Sequence, residues 1–380
     1  MKVKERNFID MADRAQDERF MAEALRLAHQ HLGATGSNPS VGCVIVGDEG
    51  DGPKIVGRAV TAIGGRPHAE TQALASAGEA ARGATAYVTL EPCSHHGKTP
   101  PCADALIAAG VARVVVAVMD PDERVAGRGL AMLRDAGIEV VTGVNEEEGE
   151  RELEAYLMRK RNNRPYVTLK LAVSADGMIG MKGQGQVRIT GAPARDFVHR
   201  LRAETDAILV GIGTAIADDP ELTVRVAGLE HRSPLRIVID GDLDLPLGSK
   251  LVRTAREVPV LAVTGEQHGS VAFVERRQAL EALGVEVVVC DPSAPGDLLA
   301  ALATRGISSL LVEGGARTAQ LFLNAGLVDR ILLLTGPVTL GEEGVPSPLE
   351  RNLVPVGFLH TRTDTFGDDL LDTYEYERAP

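Results

Sequence analysis

The sequence predicts two α/β domains in series. The chain has 380 residues, more than one hydrophobic core usually serves. Its first half alternates helical and strand patterns. A second, independent alternation begins after Pro165, beyond a charge-dense stretch.

In the first half, Phe20, Met21, Ala24, Leu25, Ala28 and Leu32 recur at helical spacing. VGCVIVG (41–47) reads as a buried strand and KIVGRAV (54–60) as its neighbour, joined by the hairpin-like GDEGDG. AETQALASAG (69–78) predicts a helix and TAYVTLEP (85–92) a strand ending in a loop. ADALIAAG (103–110) predicts a short helix closed by Gly110, and RVVVAVMD (113–120) a strand. GLAMLRDAG (129–137) and IEVVTGV (138–144) add a helix and a last strand. Residues 145–165 read as a solvated surface helix plus linker.

The second half starts afresh at PYVTLKLAVSADG, a strand, followed by the helix PARDFVHRLRAETD and the strand AILVGIG. LRIVIDG, VPVLAVTG, VEVVVCD and ISSLLVEGG are further strands, separated by helical stretches such as VAFVERRQALEALG. Strands alternating with helices imply a mostly parallel sheet.

Composition narrows the function. Aromatics are 3% with no Trp, which argues against a base-stacking platform. The net charge of −13 opposes a polyanion, so nucleic acid is not expected as partner. Four cysteines are too few for a disulfide scaffold. The N-terminal stretch lacks a signal peptide's apolar core and no run is long enough to span a membrane, so a cytoplasmic protein is expected. Residues 1–16 are polar and read as a frayed extension.

The chemistry is concentrated in PHAET (67–71) and LEPCSHHGKTPPC (90–102). A catalytic zinc wants three protein ligands and one open position. His68, Cys93 and Cys102 offer one imidazole and two thiolates. Glu70, two residues after His68, is placed to move protons between water and a departing amine without ligating the metal. His-x-Glu followed by Pro-Cys is the layout of zinc-dependent base deaminases, a pattern the general rule already describes. Here the second cysteine follows after eight intervening residues rather than two. His68 and Cys102 each stand at a predicted helix entrance, where a thiolate or carboxylate is favoured. Cys43 reads as a buried core thiol.

NPSVGCVIV, PHAE and TLEPCSHHGKTPPCADALI together resemble the deaminase half of the bifunctional riboflavin-biosynthesis deaminase–reductases. The long cysteine spacing is that family's. KLAVSADG (170–177), ADDPELTVR (217–225) and VEGGARTAQLFLNAGLVD (312–329) resemble its reductase half. The resemblance implies a cytidine-deaminase-like three-layer domain over residues 17–163 and a dihydrofolate-reductase-like domain over residues 164–380. It implies Zn2+ and NADPH as cofactors, a phosphoribosylated diaminopyrimidine as substrate, and a homo-oligomer.

By the same resemblance, Asn38, His95, His96 and Lys98 face the deaminase substrate. Lys170, Gln186, Arg202, Leu222, Arg225 and Glu313 face the reductase substrate, with Arg202 and Arg225 suited to its phosphate. Ala172, Arg188, Thr214, Asp218, Gly315, Ala316, Arg317, Thr318, Ala319, Gln320 and Leu321 line the NADPH site. The Gly314–Gly315 turn before a helix suits a phosphate cradle. There is no G-x-G-x-x-G after the first strand, so a standard Rossmann domain is not supported. Asp176 reads either as a ribose-orienting carboxylate or as a turn residue. Two departures stand out. Thr61 occupies a position where the family often has His, and Gln186-Val187-Arg188 replaces a run that often carries Trp. The alternatives are a zinc deaminase of another base with an unrelated C-terminal domain, and a zinc-stabilised scaffold without activity.

Overall fold

The computed structural model describes residues 6–48, 50, 52–95, 100–122, 125–266, 270–351 and 353–378, with side chains from Asp13 onward. The chain divides into two compact units, Met1–Asn162 and Asn163–Pro380.

The first unit runs α1 (Arg6–His29), β1 (Gly42–Gly47), β2 (Lys54–Val60), α2 (Ala69–Ala77), β3 (Thr85–Leu90), α3 (Cys102–Ala109), β4 (Arg113–Val118), α4 (Arg128–Asp135), β5 (Glu139–Thr142), α5 (Glu146–Glu152) and α6 (Glu154–Asn162). The strands form one sheet in the order β2-β1-β3-β4-β5. β1 is antiparallel to both neighbours, while β3, β4 and β5 are parallel. α1 and α5 pack together on one face, and α2, α3 and α4 on the other, which makes three layers.

Two glycines set how closely the helices approach. A Cβ on Gly42 would lie 1.8 Å from the Ala24 carbonyl oxygen of α1. One on Gly57 would lie 2.3 Å from the Ala73 carbonyl oxygen of α2. Only glycine admits such contact.

Two expectations need correction here. α1 starts at Arg6, so residues 6–16 are helical instead of frayed. The charged stretch after residue 145 is two helices, and Gly149, Leu153, Tyr156, Leu157 and Met158 in it are buried. Its inner face is therefore part of the fold, not a solvated surface.

The second unit runs β6 (Tyr166–Val173), β7 (Met178–Met181), α7 (Ala192–Ala203), β8 (Ala207–Gly211), α8 (Ile212–Asp218), β9 (Leu235–Ile239), α9 (Lys250–Arg253), β10 (Val260–Thr264), α10 (Val271–Ala282), β11 (Val285–Val289), α11 (Pro295–Thr304), β12 (Ser309–Val312), α12 (Ala316–Asn324), β13 (Arg330–Thr335), β14 (Gly344–Pro346), β15 (Phe358–Phe366) and β16 (Asp369–Tyr376). Among the described residues, nine strands form one sheet in the order β11-β10-β9-β8-β12-β6-β13-β16-β15. Every pairing from β11 to β13 is parallel, and the β15–β16 hairpin closes the edge antiparallel. Val167, Leu169, Leu209, Leu310, Val312, Phe322 and Ile331 form the centre of its core. Among the described residues, no helix is long and apolar enough to cross a membrane.

Candidate active sites

In the first unit the site lies beyond the carboxyl ends of β3 and β4, where parallel strands leave a crevice. His68 is the N-cap residue of α2, and Cys102 opens α3. Cys93 follows β3. His68 Nδ1 lies 3.3 Å from Cys102 Sγ and 3.7 Å from Cys93 Sγ. The Cys102 backbone N–H donates to Cys93 Sγ at 3.3 Å. The three ligand atoms lie within 4.8 Å of one another. One imidazole and two thiolates at this spacing suit zinc, with a fourth position left for chemistry.

The electrostatics agree. The hydrogen bond shared with Cys102, with His68 adding, pulls the Cys93 thiol down to about 4 against its burial. The same shared proton, then burial, pushes Cys102 up. The hydrogen bond to Cys93 raises His68. A divalent cation would displace the proton that the two sulfurs share.

Glu70 sits in the first turn of α2, 4% exposed. Burial raises its pKa above the ordinary carboxylate range. A side-chain hydrogen bond joins it to Cys102, so it reaches the metal ligands without being one of the three. A buried carboxyl beside the three candidate ligands is suited both to take and to return a proton.

These groups open onto a cavity of about 240 Å³. Asn38 and His95 line it, as expected. Asn38 Nδ2 donates to the Gly65 carbonyl at 2.9 Å, and a Cβ on Gly65 would meet that nitrogen at 2.5 Å. His95 Nδ1 is buried without a hydrogen-bond partner among the described residues. His96 and Lys98 lie outside the described residues. Thr61 lines the cavity too, but its hydroxyl accepts from the Val41 N–H at 3.0 Å, so it ties β2 to β1.

The cavity has walls that sequence reasoning missed: Arg66, Glu91, Asp120, Asp122, Val125, Tyr156, Arg159 and Lys160. Glu91 Oε2 accepts from the Gly127 N–H at 3.0 Å, and Asp120 accepts from the Tyr156 hydroxyl at 3.0 Å. Burial raises Asp120. The available signal was the i, i+3, i+4 spacing of Tyr156, Arg159 and Lys160.

In the second unit, Lys170, Arg202 and Glu313 come together around the adjacent strands β6 and β12. Glu313 follows β12. It accepts from Arg202 Nε at 2.7 Å and Nη2 at 3.0 Å, and from Lys170 Nζ at 3.4 Å. Burial would raise Glu313, but the charges of Arg202 and then Lys170 outweigh it and hold the carboxyl at about 2. Arg202 also donates to the Thr223 carbonyl. Its guanidinium thus joins Glu313 to the Thr223 carbonyl. Arg225 pairs with Glu221 at 3.0 Å in the open. Leu222 is buried with φ 55°, a strained conformation for a branched residue.

Gly315 caps α12, and its N–H donates to Thr214 Oγ1 at 3.0 Å. Two helix starts, α8 and α12, therefore meet, neither capped by a side chain. A Cβ on Gly211 would come within 2.4 Å of Thr318 Oγ1. Such a glycine-lined pair of N-termini fits a dinucleotide phosphate. Ala172 alternates with Lys170 on β6, both half-buried. Asp218 ends α8 and is raised by burial. Ala316 and Leu321 are half-buried and Arg317 is exposed. Ala319 is wholly buried in the core, and Gln320 points outward to Asn324 at 2.7 Å. Gln186 and Arg188 are exposed on the loop after β7, and no hydrogen bond or ion pair among the described residues ties them to the network. Asp176 accepts from Ser174 Oγ and from the Leu340 and Gly341 N–H groups, so the turn reading fits it.

Two family models match this chain. Residues 14–118 match the cytidine and deoxycytidylate deaminase zinc-binding region, and residues 165–371 match the RibD C-terminal domain. The riboflavin biosynthesis protein RibD of Aquifex aeolicus is 43% identical over 326 residues, 86% of this chain and 88% of that protein. The chain belongs to the RibD family. The RibD of Escherichia coli is 42% identical, over 86% of this chain and 89% of its own length. The solved structure of Acinetobacter baumannii RibD superposes with a TM-score of 0.84 at 35% identity, covering 96% of this chain and all of that one. A Thermotoga maritima structure, described as a diaminohydroxyphosphoribosylaminopyrimidine deaminase/5-amino-6-(5-phosphoribosylamino)uracil reductase, gives 0.82 at 31%, covering 96% and 99%. RibD proteins are bifunctional, and this chain accordingly joins a cytidine-deaminase-like zinc domain to a dihydrofolate-reductase-like domain.

Proposed function

We propose that the chain hydrolyses the 2-amino group of 2,5-diamino-6-(5-phosphoribosylamino)pyrimidin-4(3H)-one and then reduces the ribosyl side chain with NADPH, giving 5-amino-6-(5-phosphoribitylamino)uracil. The observation that carries the first step is the buried Glu70 beside the His68–Cys93–Cys102 cluster, at the floor of a cavity. Zinc, held by those three residues, would supply an electrophile that makes water nucleophilic near neutral pH. Glu70 takes the water's proton and returns it to the leaving ammonia. Asn38 and His95, which line the cavity, orient the pyrimidine in this reading. We assign this step to residues 17–163.

The second step belongs to residues 164–380 in this reading. NADPH supplies the hydride there. Gly315, Thr214 and the first turn of α12 would hold its phosphate, and Lys170, oriented by Glu313, would serve the ribosyl oxygen. The net charge of −13 disfavours a nucleic-acid substrate. A homo-oligomer completes the reading, which light scattering on the full chain tests.

The test is coupled. Purified protein should release ammonia from the diaminopyrimidine substrate, and NADPH oxidation should begin only once deaminated product is present. Ammonia release without any NADPH oxidation would remove the reductase assignment. Oxidation with the diamino compound when deamination is blocked would remove the order of steps.

A further inference from the structure

The deaminase cavity has a basic edge that removal of an amino group does not require. Tyr156, Arg159 and Lys160 stand at i, i+3 and i+4 on α6, and all three line the cavity. Tyr156 is fixed, because its hydroxyl donates to both carboxylate oxygens of Asp120 at 3.0 Å. The Arg159 guanidinium lies 5.8 Å and the Lys160 ammonium 5.7 Å from its ring centroid. Arg159 Nη2 donates to the Ser37 carbonyl at 2.5 Å, which steers the guanidinium beside Asn38.

Among the described residues, the three cations that line the cavity are not equivalent. Lys160 Nζ pairs with Asp122 at 2.7 Å, so that pair is close to neutral. Arg66 lines the cavity two residues before His68 in the chain. It therefore belongs to the metal end, where the reacting heterocycle must lie. Arg159 marks the end carried by α6. A neutral aminopyrimidine needs donors and acceptors in its plane, whereas a phosphate is met best by a planar fork of N–H groups.

We propose that Arg159, seated on the Tyr156 ring and steered by the Ser37 carbonyl, binds the phosphate of the deaminase substrate. The cavity then selects a phosphorylated heterocyclic riboside over the free base or the unphosphorylated riboside. The Lys160–Asp122 pair flanks the seat without adding repulsion. This inference rests on the deaminase reading above.

The experiment compares steady-state ammonia release by the full-length, zinc-loaded protein on the phosphorylated substrate and on its dephosphorylated riboside. Wild type, Arg159→Gln and Arg159→Lys are measured. Charged hydrogen bonds of this kind correspond to roughly tenfold to a hundredfold in binding. The preference for the phosphorylated substrate, as a ratio of kcat/KM values, should fall by that factor in Arg159→Gln, through KM. Arg159→Lys should recover part of it. Inorganic phosphate should compete with the phosphorylated substrate in wild type and lose potency in Arg159→Gln. An unchanged ratio overturns the proposal. So does an equal loss on both substrates, which would mean that Arg159 merely shapes the Ser37–Asn38 loop. Wild type that releases ammonia from neither compound overturns the deaminase reading itself.

Discussion

Replacing Arg202 with methionine tests the buried network of the second unit. The Glu313 side chain is 9% exposed, so water screens its interactions little. Its pKa of about 2 in the folded chain stands against an ordinary 4.5. At 1.36 kcal/mol per pH unit, that gap corresponds to roughly 3 kcal/mol at neutral pH. The folded value is the lower one. The stabilisation is therefore complete above the unfolded value and is lost as pH falls through the folded one, with roughly half remaining at pH 3. Arg202→Met leaves only Lys170 beside the carboxylate. It should cost on the order of 3 kcal/mol at pH 7 and lower the Tm of this unit by roughly 6–12 °C. Hydrogen exchange of the β6 and β12 amides, followed against urea, reads the loss in the right unit. The difference between wild type and variant should narrow to about half at pH 3. Adding Glu313→Leu should restore much of the loss, since removing both partners avoids a lone buried charge. A difference below about 1 kcal/mol at pH 7, or one that ignores pH, would refute the reasoning.

Glu70→Gln should keep its metal, measured by elemental analysis, while ammonia release falls by about 10²–10⁴. Normal turnover in that variant would remove Glu70 as proton carrier. Cys102→Ala leaves two of the three ligands, so zinc should be lost on dialysis against a mild chelator under conditions where wild type retains it. Gly42→Ala places a methyl 1.8 Å from the Ala24 carbonyl oxygen and should destabilise the first unit by roughly 1–3 kcal/mol in urea unfolding. An Ala variant as stable as wild type would show that α1 can move off the sheet at little cost.

The metal cluster was legible because its parts are short local motifs at strand–helix junctions. His68, Cys93 and Cys102 each sit at the end of an element whose hydrophobic period is plain. The strands from residue 42 to residue 142 were legible for the same reason. α6 was not: its charges read as solvated, and only packing decides which face of a helix turns inward. Tyr156 is buried because Asp120, which follows another strand, meets its hydroxyl. Arg202 was legible only in part, because its partner Glu313 stands more than a hundred residues later and no spacing rule joins them. The β15–β16 hairpin escaped notice because β15 is exposed along most of its length and carries no apolar alternation.

The position of α6 bears on where this chain can be divided. The zinc-binding region recognised by similarity ends at residue 118. A gene cut there would encode every metal ligand and the proton carrier, yet neither Asp120 nor the helix that carries Tyr156, Arg159 and Lys160. The ribosome likewise completes the metal ligands about sixty residues before it delivers the last wall of the pocket. A truncated product could acquire zinc while its pocket stood open on one side. For expression of the deaminase alone, the useful terminus is the end of α6 at Asn162.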